Sequence, residues 1–348
     1  MGLVSVYNEW DPLEEIIVGT AVGAQVPRID RSVFSVEYAG KYDSPDEVPS
    51  GPYPDRVIQE TEAELQVLCD ELTKLGVTVR RPGERNLAAE ITTPDWQTDG
   101  FHEYCPRDGL LAIGDLVIET PMALRARFLE SLAYKDLLLE YFASGARWIS
   151  APKPRLRDEM FEPTAPDGQR LQNFEPVFDA ANVLRFGTDV LYLVSDSGNE
   201  LGWQWLQAVL GQEYTVHPCR NLYSSTHVDS TIVPLRPGLV LVNPSRVNDD
   251  NMPAFLRSWE RLEAPELVDI GFTGPRPHCS VWIGMNLLMV RPDLAVVDRR
   301  QNDLIRLLEK NGVDVLPLQL THSRTLSGGF HCATLDVRRS GSLQTYQF

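Results

Sequence analysis

Apolar residues along the chain come in short blocks separated by glycine- and proline-rich turns, and one order of blocks recurs. Residues 14–18 (Glu-Glu-Ile-Ile-Val) read as a strand. From Pro54 to Leu75, the positions Val57, Leu65, Leu68, Cys69, Leu72 and Leu75 fall on one face of a helix that Gly76 stops. Val77–Arg80 then returns as a strand. Asp108–Ile118 reads as a hairpin with a Gly-Asp turn, followed by a helix through about Phe142 and the strand Arg147–Ile149. Asp179–Val194 is another hairpin, followed by a helix over Asn199–Leu210 and the strand Tyr214–Val216. His227–Val242 and Asn286–Val297 are two more. The latter leads into a helix to about Lys310 and the strand Val313–Leu316, and a last strand starts at Cys332.

Units that recur at roughly 50–70 residues suggest a propeller or an array. The last strand has no helix after it, and the first unit has no leading strand. Joining the two closes a ring of five and removes its sheet edges. The expected fold is therefore α/β, a closed five-bladed propeller of strand–hairpin–helix–strand units. No Pro/Ser-rich linker or shift of composition divides the chain, so residues 1–348 read as a single domain. Residues 20–51 form a loop too long to be filler, the expected lid, and residues 151–176 are an insertion between units.

Composition narrows the partners. Hydrophobic content of 43% and charged content of 23% are those of a globular protein. The N-terminus has no basic-then-apolar leader, and no apolar run is long enough for a membrane span. A formal charge of −17 argues against nucleic acid and anionic membranes, and demands a locally basic pocket for any anionic substrate. Five scattered cysteines without a C-x-x-C suggest neither disulfides nor zinc, so a reducing cytoplasm is expected and no metal or cofactor.

Aligning the hairpins puts Asp108, Asn182, Asp229, Asn286 and Cys332 at one position, the start of each unit's first strand, with Asp179 and His227 two or three residues earlier. In a ring, equivalent positions meet around one axis. Three carboxylates, an imidazole and a thiol are thus expected at one mouth. Cys332, after Ser327-Gly328-Gly329-Phe330-His331, is the candidate nucleophile, with His227 to shuttle protons and Asp179 to orient it. Asp108 and Asp229 would repel an oxyanion but suit a cation, because a buried guanidinium requires carboxylate partners. The expected chemistry is thiol attack on a guanidinium carbon. The other histidines, His102, His217, His278, His322 and His331, have no such placement and read as structural, as do Cys69, Cys105, Cys219 and Cys279.

At these residues the chain resembles the amidinotransferases, a family of the guanidino-modifying, pentein-like α/β-propeller superfamily. The matching segments are Cys-Pro-Arg-Asp (105–108), Phe-Asp-Ala-Ala-Asn (178–182), Thr-His-Val-Asp (226–229), Asn-Pro-Ser-Arg (243–246), Trp-Ile-Gly-Met-Asn (282–286) and the run from Gly328 to Arg339. The resemblance spans the chain and is strongest to members that act on inosamine phosphates in streptomycin-type biosynthesis. It implies a cofactor-free ping-pong transfer from L-arginine to an aminocyclitol phosphate, releasing L-ornithine, by a homodimer. By position it implies Cys332 as the residue that carries the amidino group, His227 as acid/base and Asp179 as its partner. It also implies Asp108 and Asp229 on the guanidinium, Arg246 on the arginine carboxylate and Ser280 assisting. Ser224-Ser225-Thr226 are smaller than their counterparts in glycine-accepting relatives, which implies room for a cyclitol.

Two other readings stay open on the residues alone. A hydrolase of the arginine deiminase type would use the same site with water as acceptor, and a non-catalytic propeller would only bind. The basic run Lys153, Arg155 and Arg157 is read as a solvated loop rather than a phosphate site.

Overall fold

The computed structural model describes residues 2–346 and 348. Five three-stranded sheets share one internal order: the first strand runs antiparallel to the second, and the third lies parallel to the second on its other side. Four of them follow one another along the chain, with first strands Leu110–Ile113, Val183–Phe186, Ile232–Arg236 and Leu288–Arg291. The remaining sheet is built from distant segments. Thr334–Arg339 pairs antiparallel with Leu13–Val18, which pairs parallel with Thr78–Arg80. These sheets are the blades of a five-bladed α/β propeller, consistent with the expected fold class.

Burial explains the pattern of each blade. First and second strands such as Leu110–Ile113 and Leu116–Glu119 are buried throughout, so they read as unbroken apolar runs rather than alternating ones. Third strands are more exposed and more polar. The third strand of the fourth unit, Glu260–Glu263, buries only Leu262 and so has no apolar signature, which is why sequence patterning passes over it. The helix Asp55–Lys74 in the first blade buries Val57, Thr61, Leu65, Leu68, Cys69 and Leu72 on one stripe, each large apolar side chain stabilising by roughly 1.5–3 kcal/mol. Gly76, at φ 86°, turns the chain out of it.

Two expected boundaries move. The helix after the first hairpin is confined to Lys135–Ala143; before it, short 3-10 turns run over Arg125–Arg127 and Glu130–Tyr134. There Arg125 and Arg127 are buried, and their guanidinium groups reach the Leu156 carbonyl and the Asp108 and Glu130 carboxylates instead of solvent. The last strand starts at Thr334, so Cys332 sits in the turn ahead of it.

The loop over residues 20–51 is largely folded. Asp30 caps a helical turn, Arg31–Val33, that continues as a wider turn over Phe34–Tyr38. Val33, Phe34 and Val36 pack with Leu156, Met160, Phe161 and Leu171 of the insertion, so the two irregular segments share one apolar cluster. Among the described residues, no helix is long and apolar enough to cross a membrane.

Candidate active site

A short turn precedes each first strand, and these turns carry the candidate residues. Asp108 lies in Pro106–Gly109, Asp179 just before Ala180–Asn182, Asn286 just after Val281–Met285, and Asp229 and Cys332 in the turns before Ile232 and Thr334. Cys332 is buried. Its Sγ lies 3.1 Å from Asp229 Oδ2 and accepts from Asn286 Nδ2 at 3.1 Å, while its backbone N–H donates to Asn286 Oδ1 at 3.0 Å.

The glycines before Cys332 are required for space rather than for turning. A Cβ on Gly328 would stand 2.7 Å from Cys105 Sγ and 3.1 Å from Cys332 Cβ; one on Gly329 would stand 2.8 Å from Asn286. The left-handed residue is their neighbour Ser327, at φ 60°.

His227 is the second centre. Its Nε2 lies 3.0 Å from Asp179 Oδ2 and its Nδ1 3.8 Å from Asp108 Oδ1. The residue itself is left-handed at φ 61°, a strain of order 1–3 kcal/mol that the adjoining Val228 N–H···Ala181 O bond helps to hold. Asp179 Oδ1 accepts from the Ala123 amide at 3.1 Å, which fixes the carboxylate facing the imidazole. Burial works against the imidazolium, but Asp108, Asp179 and Asp229 outweigh it and push His227 up to about 10. At neutral pH His227 is therefore an acid.

The thiol is held in the opposite sense. The neighbouring Cys105 thiol, burial, and the facing Asp229 and Asp108 carboxylates keep Cys332 well above the ordinary thiol range. Asp108 is raised by its burial; its Oδ2 accepts from Arg127 at 2.6 Å, while its Oδ1 is buried without a hydrogen-bond partner. Burial also opposes the charge on Asp229, yet His331, His227 and the Cys332 contact hold that carboxyl well below the usual range. The thiol itself faces carboxylates and has no cation against it, and Asp108 Oδ1, 3.8 Å from His227 Nδ1, still lacks a hydrogen-bond donor.

These groups open onto a cavity of about 390 Å³, lined by His227, Asp229, Cys332 and Arg246 among others. Arg246 stacks over Tyr223 at 3.6 Å and donates to Thr231 Oγ1 at 2.8 Å and Ser230 Oγ at 3.2 Å. It has no carboxylate partner among the described residues, and burial pulls its pKa down. Ser280 Oγ stands 3.5 Å from Arg246 Nη2. Ser225 and Thr226 line the cavity, whereas Ser224 packs toward Gly168 of the insertion. All seven site residues expected from sequence thus lie at or directly behind one cavity.

Three residues read as structural or left without a role belong to the same arrangement. His331 Nδ1 lies 2.9 Å from Asp229 Oδ2, Asn286 brackets the thiol, and Cys105 lies beside it. His331 adjoins Cys332 in sequence, and that adjacency is the signal that could have found it. Lys153, Arg155 and Arg157 are exposed and face away: Lys153 donates to the Phe128 carbonyl, Arg155 pairs with Glu175, and Arg157 pairs with Asp95. Among the described residues, no group of three or more His, Cys, Asp or Glu side chains is placed to hold a metal ion.

No family model matches the chain. It is 81% identical to inosamine-phosphate amidinotransferase 1 of Streptomyces glaucescens over 348 residues, covering 100% of both. Its structure matches that of the inosamine-phosphate amidinotransferase of Streptomyces griseus with a TM-score of 0.99 at 78% identity over 100% of both chains. An amidinotransferase from Microseira wollei, of the saxitoxin biosynthetic pathway, matches with a TM-score of 0.91 at 39% identity over 99% of this chain and 100% of that one. Relatives this similar over the whole length show that the chain belongs to the amidinotransferase family and is an enzyme of that kind.

Proposed function

We propose that this amidinotransferase carries the amidino group of L-arginine on Cys332 and passes it to the amine of 1-amino-1-deoxy-scyllo-inositol 4-phosphate, a step of streptomycin-type antibiotic biosynthesis. The observation that carries the reading is a buried thiol facing the Asp229 carboxylate, with Asp108 Oδ1 behind it near His227 but without a hydrogen-bond donor. A guanidinium is the cation whose N–H groups match such oxygens. The acceptor is supported by the likeness to inosamine-phosphate amidinotransferases at 81% and 78% identity, against 39% for the saxitoxin-pathway enzyme.

Bound between Asp108 and Asp229, the guanidinium supplies the positive charge that the thiol lacks, so substrate itself favours the thiolate. Sulfur adds to the amidino carbon, the C–N bond to ornithine breaks, and His227 gives its proton to the departing amine. The thiol's proton is released to solvent as the guanidinium binds, and a proton from solvent restores the imidazolium once the amine has left. In the second half-reaction the acceptor amine attacks the same carbon, sulfur leaves, and the amine's proton returns to the thiolate through His227. Arg246, assisted by Ser280, takes the arginine carboxylate. Glu37 and Gly40, from the loop over residues 20–51, wall the cavity, which supports a lid that keeps water from the adduct. A cytoplasmic homodimer is part of the same reading, and sedimentation of the native enzyme tests its size.

Labelled L-arginine without acceptor tests the core of this reading. The Cys332 peptide should gain one amidino group, with one equivalent of ornithine released. An unmodified Cys332 peptide, or citrulline and ammonia in place of ornithine, would overturn it.

A further inference from the structure

Besides His227, three basic side chains line the cavity that holds Cys332, namely Lys41, Arg246 and Arg276, and none of these three has a carboxylate partner among the described residues. In a chain of net charge −17, unpaired cations gathered in one cavity point to anionic ligands. L-Arginine brings one carboxylate, and Arg246, deep beside Ser230 and Ser280, is placed to take it. Lys41 and Arg276 are left over.

Two contacts lay the segments that carry them side by side in the cavity wall. Lys41 Nζ donates to the His278 carbonyl at 2.6 Å, and the adjoining Tyr42 ring lies 4.8 Å from the Arg276 guanidinium. Lys41 keeps two N–H groups after that bond, and Arg276 is exposed without a side-chain hydrogen bond. The one acid lining this side, Glu37, is directed at His278 Nε2, 3.1 Å away. We propose that Lys41 and Arg276 form the subsite for the acceptor's phosphate, a phosphomonoester carrying close to two negative charges at neutral pH. The inference rests on the acceptor being a phosphorylated aminocyclitol. It separates the two anions of the reaction: carboxylate at Arg246 in the first half, phosphate at the rim in the second.

The test measures the two half-reactions separately on the intact enzyme, with Lys41→Gln, Arg276→Gln, the double variant and Arg276→Lys. Amidination of Cys332 by labelled arginine shows that each variant is folded. For each cation removed, kcat/KM for the aminocyclitol phosphate should fall about tenfold or more relative to kcat/KM for arginine, with partial recovery in Arg276→Lys. Preference for the phosphorylated over the dephosphorylated aminocyclitol should collapse in the double variant. Inorganic phosphate should compete with acceptor in the wild type and lose that effect in the double variant. Undiminished discrimination in the double variant, with wild-type transfer intact, overturns the subsite alone. A wild-type enzyme that is amidinated on Cys332 yet never transfers to the aminocyclitol phosphate overturns the acceptor reading, and the subsite with it.

Discussion

His331 Nδ1 donates to Asp229 Oδ2 at 2.9 Å, and the same oxygen meets the Cys332 thiol at 3.1 Å. The residue next to Cys332 in sequence is therefore linked to its thiol through a carboxylate from another blade. Replacing His331 by Leu removes the donor, so the Asp229 pKa should rise. The acid limb of kcat/KM for arginine should then move to higher pH, with a loss of about ten- to a hundredfold at neutral pH. His331→Asn, which keeps a donor, should recover part of it. An acid limb identical in all three enzymes would remove His331 from the control of Asp229.

The His227 proton is a second measurable quantity. With its pKa pushed up to about 10, the imidazole should be doubly protonated at pH 7–9 by nitrogen NMR. The Asp108 charge is one of the main causes that raise it, so Asp108→Asn should bring the midpoint down. Stability follows the same sign. The contribution of a raised imidazole is fully present below about pH 6.5, the ordinary value, and is lost as pH climbs toward 10. Asp108→Asn should narrow that window.

Arg246 can be tested with a substrate that lacks the group it would bind. The wild type should prefer arginine over its decarboxylated analogue agmatine, and Arg246→Gln should erase most of that preference, about ten- to a hundredfold in kcat/KM. Arg246→Lys should restore little, because an ammonium cannot both stack on Tyr223 and donate in several directions.

Behind the site lies a buried ionic cluster that joins three blades. Asp336 accepts from Arg107 at 2.7 Å, from Arg185 at 2.8 Å and from Arg339 at 2.5 Å, and Arg185 also pairs with Glu9 at 2.7 Å. Asp336→Ala leaves three guanidinium groups short of a partner. It should cost about 3–5 kcal/mol, read as a large drop in melting temperature. A replacement that leaves the melting temperature unchanged would mean that water reaches this cluster.

Repetition made the fold legible. Asp108, Asp179, His227, Asp229 and Cys332 stand at matching points of recurring hairpins, and the register of buried strands carries that periodicity into the sequence. Glu260–Glu263 was invisible because a third strand that buries only Leu262 needs no apolar run. The 3-10 turns over Arg125–Arg127 and Glu130–Tyr134 were read as helix, since apolar spacing cannot reveal that buried arginines draw the chain toward Asp108 and Leu156. Asn286 is placed at the mouth by the repeat but given no role there, and His331 and Cys105 escape the sequence reading for a related reason. Each gains its place through a contact between blades, and no local spacing encodes which side chain will stand opposite.

Pairing of Thr334–Arg339 with Leu13–Val18 has a consequence for synthesis. Arg338 reaches Glu14 across 324 positions, so this sheet forms only after the four other blades have been made. A growing chain exposes Asp108, Asp179, His227 and Asp229 well before it contains the sulfur. If Cys332 carries the amidino group as proposed, an interrupted product has the acids and the imidazole but no thiol at this site, and it cannot strand half a reaction on a dead-end protein. Chemical competence arrives in the step that joins the ring.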